Sequence, residues 1–284
     1  MKKTVFFGAG QIGAMVARLA GTEYAPLCFA DNYEPKRGSI LAGLPVCSPE
    51  EALLLCPDCV FLCVLDAERA GQMESQLRSL GYSGEIIRPD ALEIFDPRCA
   101  AMRLLAEQIN TEHVPGDAAE LGVYRGAFAA RISAAFPDRA LHLFDTFEGF
   151  AAADIVAERN ESLSKAKAGD FSDTSPELVR SALPHPEKAV FYKGFFPDTF
   201  SACRAEHFCF VSVDADLYAP TAAALPLFWE RLSPGGVLMI HDVNSTQFTG
   251  AKKAVDAFCS LKGILPVPVC DLHGSVIIRK QQNM

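Results

Sequence analysis

The chain has 284 residues, half of them hydrophobic and 21% charged, with a formal net charge of -9. That length suits two domains better than one, and the composition is that of an ordinary globular protein. The acidic balance, with no Lys/Arg-rich run to offset it, excludes nucleic acid and anionic membrane surfaces as partners.

Met1-Lys2-Lys3 and the apolar run after it open like a signal peptide, but the run breaks at Gly8 and no cleavage site follows. No stretch approaches the roughly 20 apolar residues of a spanning helix, so a cytoplasmic location is expected. Thr4 to Phe7 predicts a strand that ends in Gly8-Ala9-Gly10-Gln11-Ile12-Gly13. Ala14, Val16, Ala17, Leu19 and Ala20 then recur at helical spacing. Ala25 to Ala30 is a second buried-strand run, stopped by Asp31. A short helix is expected from Pro49 to Leu55 with Ser48 as its N-cap, a strand from Cys59 to Leu65, an amphipathic helix from Glu68 to Leu80, and a last strand at Glu85 to Ile87. This alternation predicts a small parallel α/β domain over residues 1–92.

The ten cysteines are scattered, most of them inside apolar runs, as expected of free buried thiols. Cys56-Pro57-Asp58-Cys59 precedes a strand instead of opening a helix, and no second pair completes a zinc site.

The spacing of Gly8, Gly10 and Gly13 is that of a dinucleotide-binding turn. The first glycine permits the turn, the second lets the backbone approach a phosphate, and the third lets helix and strand pack closely. Asp31 lies where a ribose-binding carboxylate belongs. The stretch from Asp31-Asn32 through Leu41-Ala42-Gly43-Leu44-Pro45-Val46-Cys47-Ser48-Pro49-Glu50-Glu51 resembles the small nucleotide-sugar-type domains attached to bacterial glycan-modifying enzymes. NAD, a nucleotide sugar, or no ligand at all remain open for this loop.

Residues Phe95 to Asn110 look helical, giving a linker over 93–113 and a second domain over 114–284. In that domain strands are expected at Ala118 to Leu121, Leu141 to Phe144, Ala189 to Tyr192, Phe208 to Val213, Val237 to Ile240 and Val276 to Ile278. Helices are expected at Ala127 to Ala135, Leu225 to Leu232 and Ala251 to Leu261. Thr146 to Ser175 is long, polar and without period, and reads as a lid or substrate loop. The expected fold class is α/β, two successive Rossmann-like units, the second doubly wound.

Glu120-Leu121-Gly122-Val123-Tyr124-Arg125-Gly126 follows a strand and opens a helix, and Asp145 ends the next strand. A glycine turn offering free amides, with an acid placed for two ribose hydroxyls, suits NAD and S-adenosylmethionine equally. Further segments carry a family pattern: Leu143 to Phe150, Gly169-Asp170-Phe171-Ser172-Asp173-Thr174, Lys193-Gly194-Phe195-Phe196-Pro197-Asp198-Thr199, Val213-Asp214-Ala215-Asp216-Leu217-Tyr218-Ala219-Pro220-Thr221, Leu232 to Val237 and Gly250 to Asp256. In this order they resemble the macrocin O-methyltransferase-like group, class I methyltransferases of sugar hydroxyls in antibiotics and other glycosides.

The resemblance spans roughly Val114 to Lys280 and implies an S-adenosylmethionine-dependent O-methyltransferase with a sugar-like acceptor. By it, Glu120, Gly122, Tyr124 and Gly126 line the methionine end of the cofactor, Asp145 binds its ribose, and Gly194 and Phe195 lie near the adenine. By it also, Asp214 is a metal ligand and Asp216 the base. The logic is sound chemically, because a sugar hydroxyl is a poor nucleophile until a hard cation and a carboxylate draw off its proton. Strand alternation would put Asp214 and Asp216 on one side. The chain departs from the family at His241-Asp242, where adjacent aspartates are usual. Either the ion is one that imidazole suits better than Mg2+, or His241 is itself a base, or no metal binds. His113, His142, His185, His207 and His273 sit in no comparable acid cluster and are expected to be structural. An NAD-dependent nucleotide-sugar oxidoreductase or epimerase, and a non-catalytic binding protein, are the alternatives. The oligomeric state stays open, a homo-oligomer included.

Overall fold

The computed structural model describes residues 2–20, 24–88 and 97–281. The chain divides into two compact units, residues 1–96 with 270–273, and residues 97–269 with 274–284. Among the described residues no helix is long and apolar enough to cross a membrane.

In the first unit β1 (Lys2–Phe7), α1 (Gln11–Leu19), β2 (Tyr24–Ala30), β3 (Ile40–Leu41), β4 (Leu44–Cys47), α2 (Pro49–Leu54), β5 (Cys59–Leu62), α3 (Ala67–Ser79) and β6 (Glu85–Ile87) follow in order. They form a six-stranded sheet, β3-β4-β2-β1-β5-β6, parallel except for the β3/β4 hairpin. Alternation decides the packing. Val5 and Phe7 face one core with Val60 and Leu62, while Phe6 faces the other with Phe29 and Phe61. α2 starts where Ser48 and Glu51 cap each other reciprocally, as Ser48 implied. The hairpin was not expected, because its two short strands lack a period long enough to read.

The second unit begins with α4 (Pro97–Thr111), then β7 (Asp117–Leu121), α5 (Ala127–Ala135), β8 (Leu141–Asp145), α6 (Ala152–Asn160), α7 (Pro176–Ala182), β9 (Ala189–Lys193), β10 (Phe208–Val213), α8 (Tyr218–Arg231), β11 (Leu232–Ile240), α9 (Thr249–Lys262), β12 (Val267–Pro268) and β13 (Val276–Arg279). The sheet order is β12-β13-β11-β10-β7-β8-β9, with β13 antiparallel to β11 and β12 antiparallel to β13. Helices cover both faces. Met102, Ala106, Ile109 and Ile132 pack on one, and Leu225, Phe228, Val255 and Phe258 on the other. The sheet is therefore doubly wound, as expected.

Three expectations change. α4 buries Met102, Ala106 and Ile109 in the second unit's core instead of bridging, and residues 93–96 of the expected linker lie outside the described residues. The supposed loop from Thr146 to Ser175 contains α6. The strand expected to run to Leu65 stops at Leu62. Successive strands are laid down to one side of β7 (β8, β9) and then to the other (β10, β11), so the order reverses between β7 and β10. A crevice at the carboxyl ends of that pair is where such sheets bind ligands.

Candidate active site

β7 runs out of the sheet at Leu121 into Gly122, whose φ of 81° only glycine adopts freely. The position is also sterically closed, since a Cβ there would lie 1.9 Å from the Asp214 carbonyl oxygen. The glycine turn thus rests directly on the end of β10. Gly126, at φ 81°, caps α5.

Asp145 at the end of β8 turns back onto this loop. Its Oδ2 accepts the amides of Val123 (2.7 Å) and Tyr124 (2.9 Å), and its Oδ1 accepts that of Phe147 (2.8 Å). The Gly194 amide donates to the Asp145 carbonyl at 3.0 Å, which brings Gly194 alongside, next to the partly exposed Phe195. Glu120 is buried on β7, and its Oε2 has no hydrogen-bond partner among the described residues. Burial pushes its carboxyl well above the usual range, and Arg98 offsets this only in part.

A cluster of acids fills the switch point. His241 Nδ1 lies 2.9 Å from Asp214 Oδ1 and 2.9 Å from Asp242 Oδ2. Arg98, from the first turn of α4, donates to Asp214 Oδ2 at 2.9 Å and to Ser212 Oγ at 3.1 Å, with its guanidinium 3.8 Å above the Phe128 ring. Burial alone would raise Asp214 and Asp242 and lower His241. For Asp214 the His241 and Arg98 charges outweigh burial, for Asp242 the His241 contact does, and both carboxyls are held below their ordinary values. The same anions lift His241 to about 9. Asp216 goes the other way, raised by burial and by the neighbouring Asp242 and Asp214. Two anions therefore face two cations, while Glu120 and Asp216 are both shifted toward the protonated form.

Asp214 and Asp216 do not share a strand face. β10 ends at Val213, and Asp216 reaches Asp242 through a turn in which its φ is 56°. Tyr124 (φ 47°), Phe147 (φ 53°) and Asp242 (φ 55°) are also left-handed, and such strain in non-glycine residues gathers at functional sites. Arg98 was missed by sequence reasoning, since its helix signals only structure and its partner is more than a hundred residues away. Glu158 of α6 was missed as well. It is buried, its Oε1 accepts the Tyr218 amide at the start of α8 (2.6 Å), and a Cβ on Gly250 would meet that oxygen at 2.7 Å.

The first unit repeats part of this plan. Gly8 (φ 117°) follows β1, Gly10 caps α1, and a Cβ on Gly13 would lie 2.0 Å from the Gly8 carbonyl oxygen. Asp31 accepts the Ala9 and Tyr33 amides at 2.8 Å each and the Lys36 ammonium at 3.0 Å. Burial opposes these contacts without overcoming them, so its carboxyl sits below the usual range. Among the histidines set aside, His142 proves to have an acid partner, Asp117, at 3.0 Å. All ten cysteines are free thiols.

Residues 88–279 match the family model described as macrocin-O-methyltransferase (TylF). The chain belongs to this family. Two curated relatives are each 30% identical. One, from Streptomyces olivaceus, is named 8-demethyl-8-(2,3-dimethoxy-alpha-L-rhamnosyl)-tetracenomycin-C 4'-O-methyltransferase, and the match covers 50% of this chain and 58% of that protein. The other, mycinamicin III 3''-O-methyltransferase from Micromonospora griseorubida, is covered to 56% by 45% of this chain. The chain thus spans little more than half the length of the curated relatives it matches. The O-methyltransferase NovP superposes with a TM-score of 0.53 at 24% identity, over 66% of this chain and 80% of its own. The calicheamicin methyltransferase CalS11 gives 0.50 at 17% identity, over 76% and 94%. At those identities the likeness is one of fold, and it agrees with the TylF-family assignment of the second unit.

Proposed function

We propose that this chain is an S-adenosylmethionine-dependent O-methyltransferase whose acceptor is a hydroxyl of a sugar or glycoside. One observation carries the reading beyond family membership. The Gly122 turn touches the strand end that bears Asp214, so a cofactor lying on the turn has its reactive end beside the acids. Methyl transfer from a sulfonium needs chiefly that placement, in line with an activated oxygen.

In this reading the ribose hydroxyls bind Asp145, the adenine lies by Gly194 and Phe195, and Tyr124 and Gly126 close the methionine end. The orphaned Glu120 oxygen is what the cofactor's ammonium would satisfy, and a cation there draws the proton off Glu120. The name of the Streptomyces olivaceus relative, which specifies a rhamnosyl group, supports the acceptor class.

The donor set fits a divalent ion. One oxygen each of Asp214 and Asp242 and a nitrogen of His241 lie within 4.8 Å of one another. The two 2.9 Å separations at His241 match the roughly 3 Å expected of neighbouring ligands about 2.1 Å from one ion. The imidazole favours Mn2+, Fe2+ or Zn2+ over Mg2+. Such an ion would stabilise the acceptor alkoxide. Asp216 takes the acceptor's proton only after passing on its own, and His241 becomes a ligand or base on losing its proton. In the first unit Gly8, Gly10, Gly13 and Asp31 form a nucleotide-binding turn, with NAD or a nucleotide sugar as the candidates.

Calorimetry of the intact protein with S-adenosylmethionine, followed by turnover on a panel of nucleotide sugars and glycosides with and without chelator, tests the proposal. Absence of cofactor binding ends it; turnover unaffected by chelator removes the metal.

A further inference from the structure

At the amino end of the second sheet, away from the glycine turn, four chemically active side chains meet. Asp117 opens β7, His142 is the second residue of β8, Tyr192 lies on β9, and Cys203 follows the short turn Asp198–Ala202. His142 Nε2 is 3.0 Å from Asp117 Oδ2. Its Nδ1 is 2.9 Å from the Tyr192 hydroxyl and 3.7 Å from Cys203 Sγ. The Tyr192 hydroxyl and the Ala205 amide also face the sulfur. From α8, Arg231 donates to the carbonyls of Cys203 (3.1 Å) and Ala205 (3.3 Å), which adds a cation beside the turn. The Phe208 ring closes the imidazole edge-on.

An acid that orients an imidazole, which in turn faces a thiol, is the arrangement that makes a sulfur nucleophilic. We infer that Cys203 is a thiolate site for small peroxides, held ready by the Asp117–His142 pair. Burial pushes the thiol up, but the His142, Ala205 and Tyr192 contacts outweigh it and leave Cys203 below its ordinary value. Burial likewise opposes the charge on His142, and Asp117 and Cys203 restore it, to about 9. By contrast, burial raises Cys28, Cys47, Cys59, Cys63, Cys209 and Cys259.

The step balances. The thiolate attacks one oxygen of hydrogen peroxide, the O–O bond breaks, and sulfur gains an S–O bond as it is oxidised to a sulfenic acid. The departing oxygen, reduced to the level of water, takes the imidazolium proton, leaving neutral His142. Cys203 is only 4% exposed, which excludes bulky reagents, but exposed Ser201, Ala202 and Arg204 put it one residue beneath the surface.

The intact protein is pulsed with hydrogen peroxide from pH 6 to 8, quenched with catalase, then denatured and alkylated, and each cysteine is read by mass spectrometry with dimedone capturing sulfenic acid. Cys203 should oxidise at least tenfold faster at pH 6.5 than the exposed Cys56 and Cys270, and with the weaker dependence on pH. In His142→Gln and Asp117→Asn the Cys203 rate should drop to that of Cys56. Oxidation of Cys203 no faster than Cys56 in the unmodified protein, or only after denaturation, overturns the inference, whether or not the variants fold.

Discussion

Asp31 and Asp145 stand at matching places in two sheets. Each ends the strand beside the one that feeds its glycine turn, and each accepts amides of that turn. They differ in what lies behind them. Behind Asp31 the balancing charge is Lys36, whose side chain is 41% exposed. Behind Asp145 lie Glu120, Asp214, Asp216 and Asp242, balanced by the buried Arg98 and His241. Both units close a glycine turn on an acid; among the described residues, the second unit sets buried acids paired to Arg98 and His241 behind it. In the proposed function the turn is the binding device, and the chemistry comes from charges the fold takes out of water.

That contrast can be broken at several points. The largest effect should come from Gly122→Ala, because its Cβ would meet backbone that has nowhere to go. We expect a loss of about 3 kcal/mol or more in the second unit's unfolding free energy, or no soluble protein. Gly10→Ala, with no atom within 4 Å of the new Cβ, should change the first unit by less than about 1 kcal/mol. Next, Arg98→Met should cost about 3 kcal/mol in denaturant unfolding, since it strands the buried Asp214. Lys36→Met breaks a surface pair and should cost about 0.5 kcal/mol. Asp145→Asn should weaken S-adenosylmethionine binding by roughly a hundredfold in calorimetry, about 2.7 kcal/mol, while Asp31→Asn leaves it within about twofold. Equal losses from both variants would erase the distinction between the units.

The last contrast is in pH. His241 carries a raised value in the fold, about 9 against an ordinary 6.5. Its stabilisation is complete below pH 6.5 and is lost as pH rises through 9. Thermal unfolding should show the second unit losing roughly 2 kcal/mol over that window, with the slope reduced in His241→Gln. Asp31, with its lowered value, acts in the opposite sense: its contribution is present above about pH 4 and disappears on acidification.

Both glycine turns and their aspartates were legible because the information is local, a strand, a turn and an acid at a fixed spacing. The sheet alternation was legible for the same reason. Asp214, Asp216, His241 and Asp242 were legible only through the family's ordered motifs, since nothing local distinguishes them from strand-end acids. Arg98 was hidden by distance along the chain. α6 was hidden because, among its described side chains, Asp154, Ile155 and Glu158 are buried while Val156 is exposed, so polar groups interrupt the apolar stripe that marks a helix. Burial and Glu158 raise Asp154 to about 6, which is the cost of that interruption. The Asp117–His142 contact was hidden because two strands, not one motif, make it.

Glu158 ties that helix to the first amide of α8, two residues beyond Asp216. α6 and the start of α8 are therefore one mechanical part. Displacing α6 would take its carboxylate from the Tyr218 amide and loosen the segment that follows Asp216. Faster deuterium uptake at the Tyr218 amide in Glu158→Ala than in the unmodified protein would register that tie.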